Sequence, residues 1–249
     1  MPVQEIESEE EARRAAAGGA DKRAYVRRMF SDIAPRYDLL NHVLSLNVDR
    51  LWRRRAIRAL AWERAPDGLY VDLCAGTLDV GAELVRRRGF RGLVVGADFA
   101  EPMLQAGAGK APRSALAPVV ADALALPLAD GRADGVIVAF GVRNLADLDA
   151  GLREAWRALR TGGRLVILEF STPRIPLVRA GYHFYFRHVL PIVGRVVSGH
   201  RTAYTYLPES VAGFPDGAQL AARMERAGFR GVQWRSLTLG IAALHWGER

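Results

Sequence analysis

The sequence predicts an α/β fold: a doubly wound, mostly parallel sheet of seven strands that ends in an antiparallel C-terminal edge hairpin. Three observations predict it. From Leu69 onward, apolar runs of strand length alternate with helical segments, which is the signature of βαβ units. The first run breaks into a small-residue turn, Cys74-Ala75-Gly76-Thr77, where a parallel sheet offers backbone N–H groups to a ligand. Near the C-terminus, two apolar runs around Gly240 read as a hairpin.

In chain order, residues 1 to about 21 are charged and Ala/Gly-rich without apolar periodicity, and read as a frayed or disordered tail. Residues 22–249 read as one domain, since a chain of 249 residues, 50% hydrophobic, can bury a full core. An N-terminal helical segment spans 22–60. Tyr25, Met29, Phe30 and Ile33 recur at helix spacing, Pro35 interrupts, and Trp52, Ile57 and Leu60 mark a second helix. Strands are expected at 69–73, 93–97, 118–121, 134–139 and 164–170, with helices at about 79–88, 101–109 and 147–160 between them. Thr161-Gly162-Gly163 reads as the glycine C-cap of the last helix. An insertion over about 172–208 follows the fifth strand. Beyond it, 217–228 reads as a helix closed by Gly228, and 232–238 and 241–246 as the hairpin strands.

The turn at 72–79 is a poor dinucleotide fingerprint. It has one glycine, Gly76, and Leu78 stands where a third would fall. Two close-packed phosphates need more bare backbone than this, so NAD and FAD are disfavoured. Asp98, about twenty residues on at the end of the next strand, is placed to accept both hydroxyls of a ribose. A ligand with a ribose and no phosphate, such as S-adenosylmethionine, fits these demands. An ordinary strand–helix turn of an α/β protein is the plain alternative.

Charge narrows the partners. The chain carries a formal +8, which favours nucleic acid, an anionic lipid surface or an acidic substrate. Segment 22–58 holds ten Lys/Arg against three Asp, which reads as a solvated basic face or a binding one. Segment 170–208 has no Asp or Glu, five Arg, three His and four of the seven tyrosines. It reads as a lid, a lipid-surface element, a nucleic-acid surface or an extra helix pair. Cys74, the lone cysteine, permits no internal disulfide and fits a reducing cytoplasm; it reads as a packing residue rather than a nucleophile. The N-terminus starts acidic, without the apolar core of a signal peptide, and no stretch approaches the roughly 18 apolar residues of a membrane span.

Several motifs then combine. Phe30-Ser31-Asp32-Ile33-Ala34-Pro35-Arg36-Tyr37-Asp38, with Asn41 and Trp52-Arg53, resembles the N-terminal segment of the ubiquinone/menaquinone-biosynthesis C-methyltransferase family. So do Phe140-Gly141-Val142-Arg143-Asn144, Leu159 to Gly163 leading to Leu168-Glu169-Phe170-Ser171, and Tyr204-Thr205-Tyr206-Leu207-Pro208-Glu209-Ser210 with Phe214-Pro215. The resemblance runs from about 25 to 247. It implies a class I, Rossmann-like S-adenosylmethionine methyltransferase that methylates a ring carbon of a prenylated quinol and releases S-adenosylhomocysteine.

By that resemblance the cofactor contacts fall on Asp72, Ala75, Gly76, Thr77, Asp98, Phe99, Met103, Asp122, Ala123 and Ala139. Thr77 would serve the methionine moiety, Asp98 the ribose, and Asp122-Ala123 the adenine, although Asp122 is equally an ordinary cap of the following turn. Leu78 departs from a frequent glycine, and Ala139 from a frequent serine, so one side-chain contact is expected to be missing. Arg143 is the expected cation beside the quinol oxygen, with Asn144 orienting that oxygen. Tyr37 joins them as a catalytic candidate, and Asp38, Glu169, Tyr204 and Tyr206 fall on the substrate side, with pairing to an arginine the open alternative for Glu169. Neither a metal nor a covalent intermediate is required.

The implied partners are a lipid-soluble quinol and transient contact with a membrane surface, at the inner face of the membrane of a cytoplasmic enzyme. No nucleic acid is expected, and a homodimer is left open. Three competing readings remain: a phospholipid N-methyltransferase or other small-molecule methyltransferase, a nucleic-acid-binding protein exploiting the +8 charge, and a relative that has lost cofactor binding.

Overall fold

The computed structural model describes residues 3–18, 21–39, 45, 47–189 and 202–249. Seven strands form one sheet: β1 (Leu69–Leu73), β2 (Leu93–Asp98), β3 (Leu116–Val120), β4 (Ala133–Ala139), β5 (Leu159–Phe170), β6 (Arg230–Leu237) and β7 (Ala242–Glu248). Their spatial order is β3-β2-β1-β4-β5-β7-β6. The first five run parallel; β7 lies antiparallel between β5 and β6. Order reverses beside β1, so β1 and β4 diverge to open a crevice at their carboxyl ends.

Helices cover both faces, which is why the central strands are almost continuously apolar. On one face α3 (Val48–Ala59) and α4 (Asp79–Val85) bury Trp52, Ile57 and Leu84 against Val94, Ile137 and Val166. On the other, α6 (Leu148–Ala158) and α9 (Gly217–Arg226) bury Leu152, Leu220 and Met224 against Val71, Val136 and Leu165. Both of these latter helices start on an aspartate cap: Asp147 accepts from Ala150 N–H at 2.9 Å, and Asp216 forms a reciprocal capping box with Gln219. The short α5 (Glu101–Ala106) joins β2 to β3.

A helical cap sits on the carboxyl edge of the sheet. It comprises α1 (Val3–Ala17), α2 (Lys22–Ile33), α7 (Pro176–Phe184) and α8 (Thr202–Ala212), whose Ala12, Ala15, Tyr25, Met29, Tyr182 and Tyr206 form one buried cluster. Residues 3–17 are therefore helical where the sequence pattern suggests a frayed tail. Alanine supplies the reason twice: it has the highest helix propensity, and the small Ala12 and Ala15 let α1 approach α8 closely.

A second difference lies at Thr161-Gly162-Gly163, expected as a helix cap. The helix ends earlier, at Ala158, because Leu159 is already extended and pairs with Ala133. Gly162 N–H instead donates to Arg249 O, and Arg249 N–H to Gly163 O, both at 2.9 Å, so the step lengthens β5. Asn41 lies outside the described residues. No helix among the described residues is long and apolar enough to cross a membrane.

Candidate active site

The turn after β1 is tightly wound, with left-handed backbone at Cys74 (φ 55°), Gly76 (φ 52°) and Leu78 (φ 65°). Gly76 belongs there for a second reason, since a Cβ on it would lie 3.2 Å from Met103 Cε. Leu78 keeps the path that glycine gives more cheaply, and its side chain is buried on the sheet face with Val94 and Leu116. Burial of that chain offsets the backbone strain.

Two carboxylates hold the turn in place. Asp98 accepts from Gly76 N–H and Ala100 N–H, each at 2.8 Å. Asp72 accepts from Gly81 N–H at 2.8 Å, tying β1 to the start of α4. Burial pushes Asp72 up to about 7 and raises Asp98 as well, although the backbone donors oppose both shifts. Burial also pushes the Cys74 thiol up, which disfavours the thiolate and supports its reading as a packing residue.

The facing wall is the turn after β4. Phe140 is left-handed (φ 61°), and a Cβ on Gly141 would lie 2.4 Å from Cys74 Cβ. The Phe-Gly step is thus the point where the two turns touch. Beneath it, Arg143 Nη1 donates to Glu169 Oε1 at 2.8 Å and to Phe140 O, and its guanidinium lies 5.4 Å from the Phe170 ring centroid. The pair is deeply buried, with side chains 8% and 1% exposed. Burial opposes the charge on Arg143, but the facing Glu169 carboxylate outweighs it and holds the guanidinium pKa above its ordinary value. Asn144 reaches the cleft instead, and its Oδ1 accepts from Tyr206 O–H at 3.1 Å.

An ion network fastens the N-terminal segment to the first turn. Lys110 Nζ bridges Asp38 at 2.5 Å and Asp79 at 2.6 Å; Arg53 contacts Asp79 and Asp49; Thr77 Oγ1 donates to Asp38. Burial would raise the Asp79 pKa, but Arg53 and Lys110 together hold it below the usual carboxylate range.

The resulting cleft is open to solvent on one side and lined mainly by apolar groups. Among the expected site residues, Tyr37, Gly76, Asp98, Phe99, Met103, Asp122, Ala123, Ala139 and Asn144 line it. The others do not. Asp72 faces α4, Ala75 donates its N–H to Ala97 O, and Thr77 and Asp38 are bonded to each other. Arg143 and Glu169 are paired below the floor, and Tyr206 stands behind Asn144. Tyr204 lies on α8, with its side chain outside the described residues. Asp122 is both a cap, accepting from Leu124 N–H at 3.0 Å, and the partner of Arg23 at 2.8 Å.

The sequence reading misses Arg23, Phe30 and Phe140 as lining residues, although the last two stand inside quoted motifs. It also misses Lys110, which no local pattern marks because its partners are 31 and 72 residues away.

Solved structures share this architecture. A possible histamine N-methyltransferase from Thermotoga maritima matches with a TM-score of 0.62 at 16% identity, covering 89% of this chain and 98% of that one. Phosphoethanolamine N-methyltransferase 2 from Haemonchus contortus, solved with S-adenosyl-L-methionine, matches with a TM-score of 0.55 at 12% identity, over 78% and 52%. The fold is that of S-adenosylmethionine-dependent methyltransferases.

Sequence relationships narrow the class. Residues 19–249 match the ubiE/COQ5 methyltransferase family, and the chain belongs to it. The demethylmenaquinone methyltransferase of Thermus thermophilus is 49% identical over 223 residues, covering 89% of this chain and all of that protein. The ubiquinone/menaquinone biosynthesis C-methyltransferase of Geotalea daltonii is 43% identical over 233 residues, covering 92% and 98%.

Proposed function

We propose that this chain transfers the methyl group of S-adenosylmethionine to a ring carbon of a lipid-soluble, prenylated quinol in menaquinone or ubiquinone formation. One observation carries the reading: a single cleft has the Asp98-anchored turn on one wall and Asn144, fixed by Tyr206 of the cap, on the other.

The cleft suits this cofactor. The Asp98 carboxylate accepts backbone N–H groups of Gly76, Phe99 and Ala100 and retains acceptor capacity for a ribose hydroxyl. Asp122 and Ala123 stand where an adenine edge would be read, and the wound turn at Gly76 leaves bare backbone for the methionine end. When bound, S-adenosylmethionine supplies a sulfonium methyl that is already electrophilic.

The protein's task is then to orient the ring and favour its phenolate. Tyr206 fixes the Asn144 amide through Oδ1, while Nδ2 makes only a long 3.5 Å contact to Phe140 O. That leaves Nδ2–H free to donate to a quinol oxygen as charge develops on it. Tyr37 closes the cofactor side of the cleft, and lies within electrostatic reach of both Arg53 and Arg143. Arg143 acts as a positioning residue: its charge is matched by Glu169, and its bond to Phe140 O holds the 140–144 turn.

Approach to the substrate favours a membrane surface. On α7, Leu177 is 84% and Phe184 62% exposed, beside the basic Arg179, a composition suited to an anionic lipid interface.

Radiolabelled methyl transfer to a demethylated naphthoquinone tests the reading. Transfer is expected to the reduced ring and not to the oxidised one, and Asn144→Ala should lower kcat about tenfold to a hundredfold with cofactor affinity intact. A folded, cofactor-binding protein that methylates neither ring form would overturn it.

A further inference from the structure

A second groove opens at the same edge of the sheet, beyond β5. Phe170, Ile175, Phe214, Pro215, Trp234 and Leu239 line it, around about 940 Å³ of space open to solvent. Three of its polar side chains are already partnered. Ser171 Oγ donates to Gly240 O at 2.6 Å, and Arg174 pairs with Asp216 at 3.2 Å on the rim. One wall is stiff, with Trp234 stacked on His245 at 5.8 Å between centroids.

Two further features bear on what it holds. The groove and the methyl-transfer cleft share a partition one aromatic layer thick. Phe140 lines the cleft, Phe170 lines the groove, and their ring centroids are 4.6 Å apart, with Trp52 against both. The groove's mouth is also apolar and exposed: Ile175 is 49% and Leu239 64% exposed, next to Leu177. Large apolar side chains exposed in a group, rather than singly, mark a surface that meets an apolar partner.

We infer that this groove receives the isoprenoid chain of the quinol while the ring occupies the cleft. The inference rests on the quinol reading above and adds where the tail lies. For a chain to leave the ring, the contacting Phe140 and Phe170 rings must turn aside; the chain then runs between Phe214 and Trp234 and emerges at Ile175 and Leu239, where the remaining isoprene units stay in lipid. The groove thereby lets the enzyme take a bilayer-borne substrate without extracting it fully.

Two substitutions place a carboxylate at the mouth where the backbone tolerates aspartate. Ile175→Asp falls at the N-cap of α7, and Leu239→Asp at a left-handed position (φ 58°). With a prenylated demethylnaphthoquinol, each should lower kcat/KM at least tenfold. With the same ring lacking a tail, kcat/KM should stay within twofold, and calorimetric affinity for S-adenosylhomocysteine, which reports the folded cleft, should be unchanged.

A diazirine-bearing polyprenyl alcohol without a ring supplies a readout independent of methyl transfer. Labelling within 170–175, 211–217 or 234–243, competed by the prenylated quinol, supports the groove. Labelling elsewhere, or equal loss on tailed and tail-less rings, overturns it. If the wild-type protein methylates neither ring, the quinol reading fails, while the labelled peptide still decides where an isoprenoid binds.

Discussion

The parallel and antiparallel halves of the sheet build the same edge from different materials. On the parallel side, β1 carries Asp72 and β2 ends in Asp98, and both carboxylates are committed to backbone N–H groups of the adjoining turns. The ligand-facing surface there is largely main chain, whose shape is fixed by hydrogen bonds that no neighbouring residue can replace. On the antiparallel side, β5, β6 and β7 present Phe170, Trp234 and Ala243, and the surface is side-chain packing. A main-chain cradle suits a cofactor that never varies. A packed groove tolerates volume-conserving change and suits a substrate whose tail varies in length.

The boundary between the halves gives the strongest way to break this comparison. Arg143→Ala leaves Glu169 buried without its cation and should cost about 3–5 kcal/mol of stability in urea denaturation. Arg143→Met with Glu169→Gln should recover most of that loss. A single variant as stable as wild type would show that the pair does not hold the partition.

Next in size, Asp98→Ala removes the acceptor of the Gly76 and Ala100 backbone donors and, on the proposed function, of the ribose, at about 1.5–3 kcal/mol for each charged hydrogen bond. Calorimetry with S-adenosylhomocysteine should show affinity falling at least ~100-fold. Groove labelling by the isoprenoid probe should persist, because the two halves are held separately.

The smallest effect contrasts the halves by pH. Asp72, raised to about 7, binds its proton more tightly in the folded state than in the unfolded one, so stability falls as pH rises from about 4 to 7. His245, on β7, is buried and pushed down to about 4 while its Nε2 meets Gly217 O at 2.9 Å. Folding therefore disfavours its proton, and stability rises with pH from about 4 to 6.5. The two slopes oppose each other. Asp72→Asn should remove the falling one and leave the rising one, making the variant more stable than wild type at pH 8. An unchanged pH–stability curve would remove Asp72 from the account.

Much of this was legible in the chain. Strand period, the Gly76 turn and Asp98 place one wall of the cleft, because each rests on local chemistry. Asn144 and Tyr206 were legible only through motifs, since their meeting spans 62 residues. Arg143 shows the limit most clearly. A lone arginine after a strand reads as a cation aimed at substrate, and the register that sets β5 beside β4 is what decides that Glu169 pairs with it. Lys110 and the second groove were illegible for the same reason: they are made by elements distant in sequence. The insertion's aromatic richness announces an unusual surface without saying which rings are buried.

The contact between Gly141 and Cys74 has a practical consequence. The chain's single thiol sits at the seam where the two turns of the cleft press together. Cys74 is half-buried and lines the cleft, so its alkylation rate is a clock for access to that cleft, readable by mass without any label or engineered probe. A ligand that spans both turns slows the clock, and one that lodges only beyond the Phe140–Phe170 partition leaves it running at its original pace.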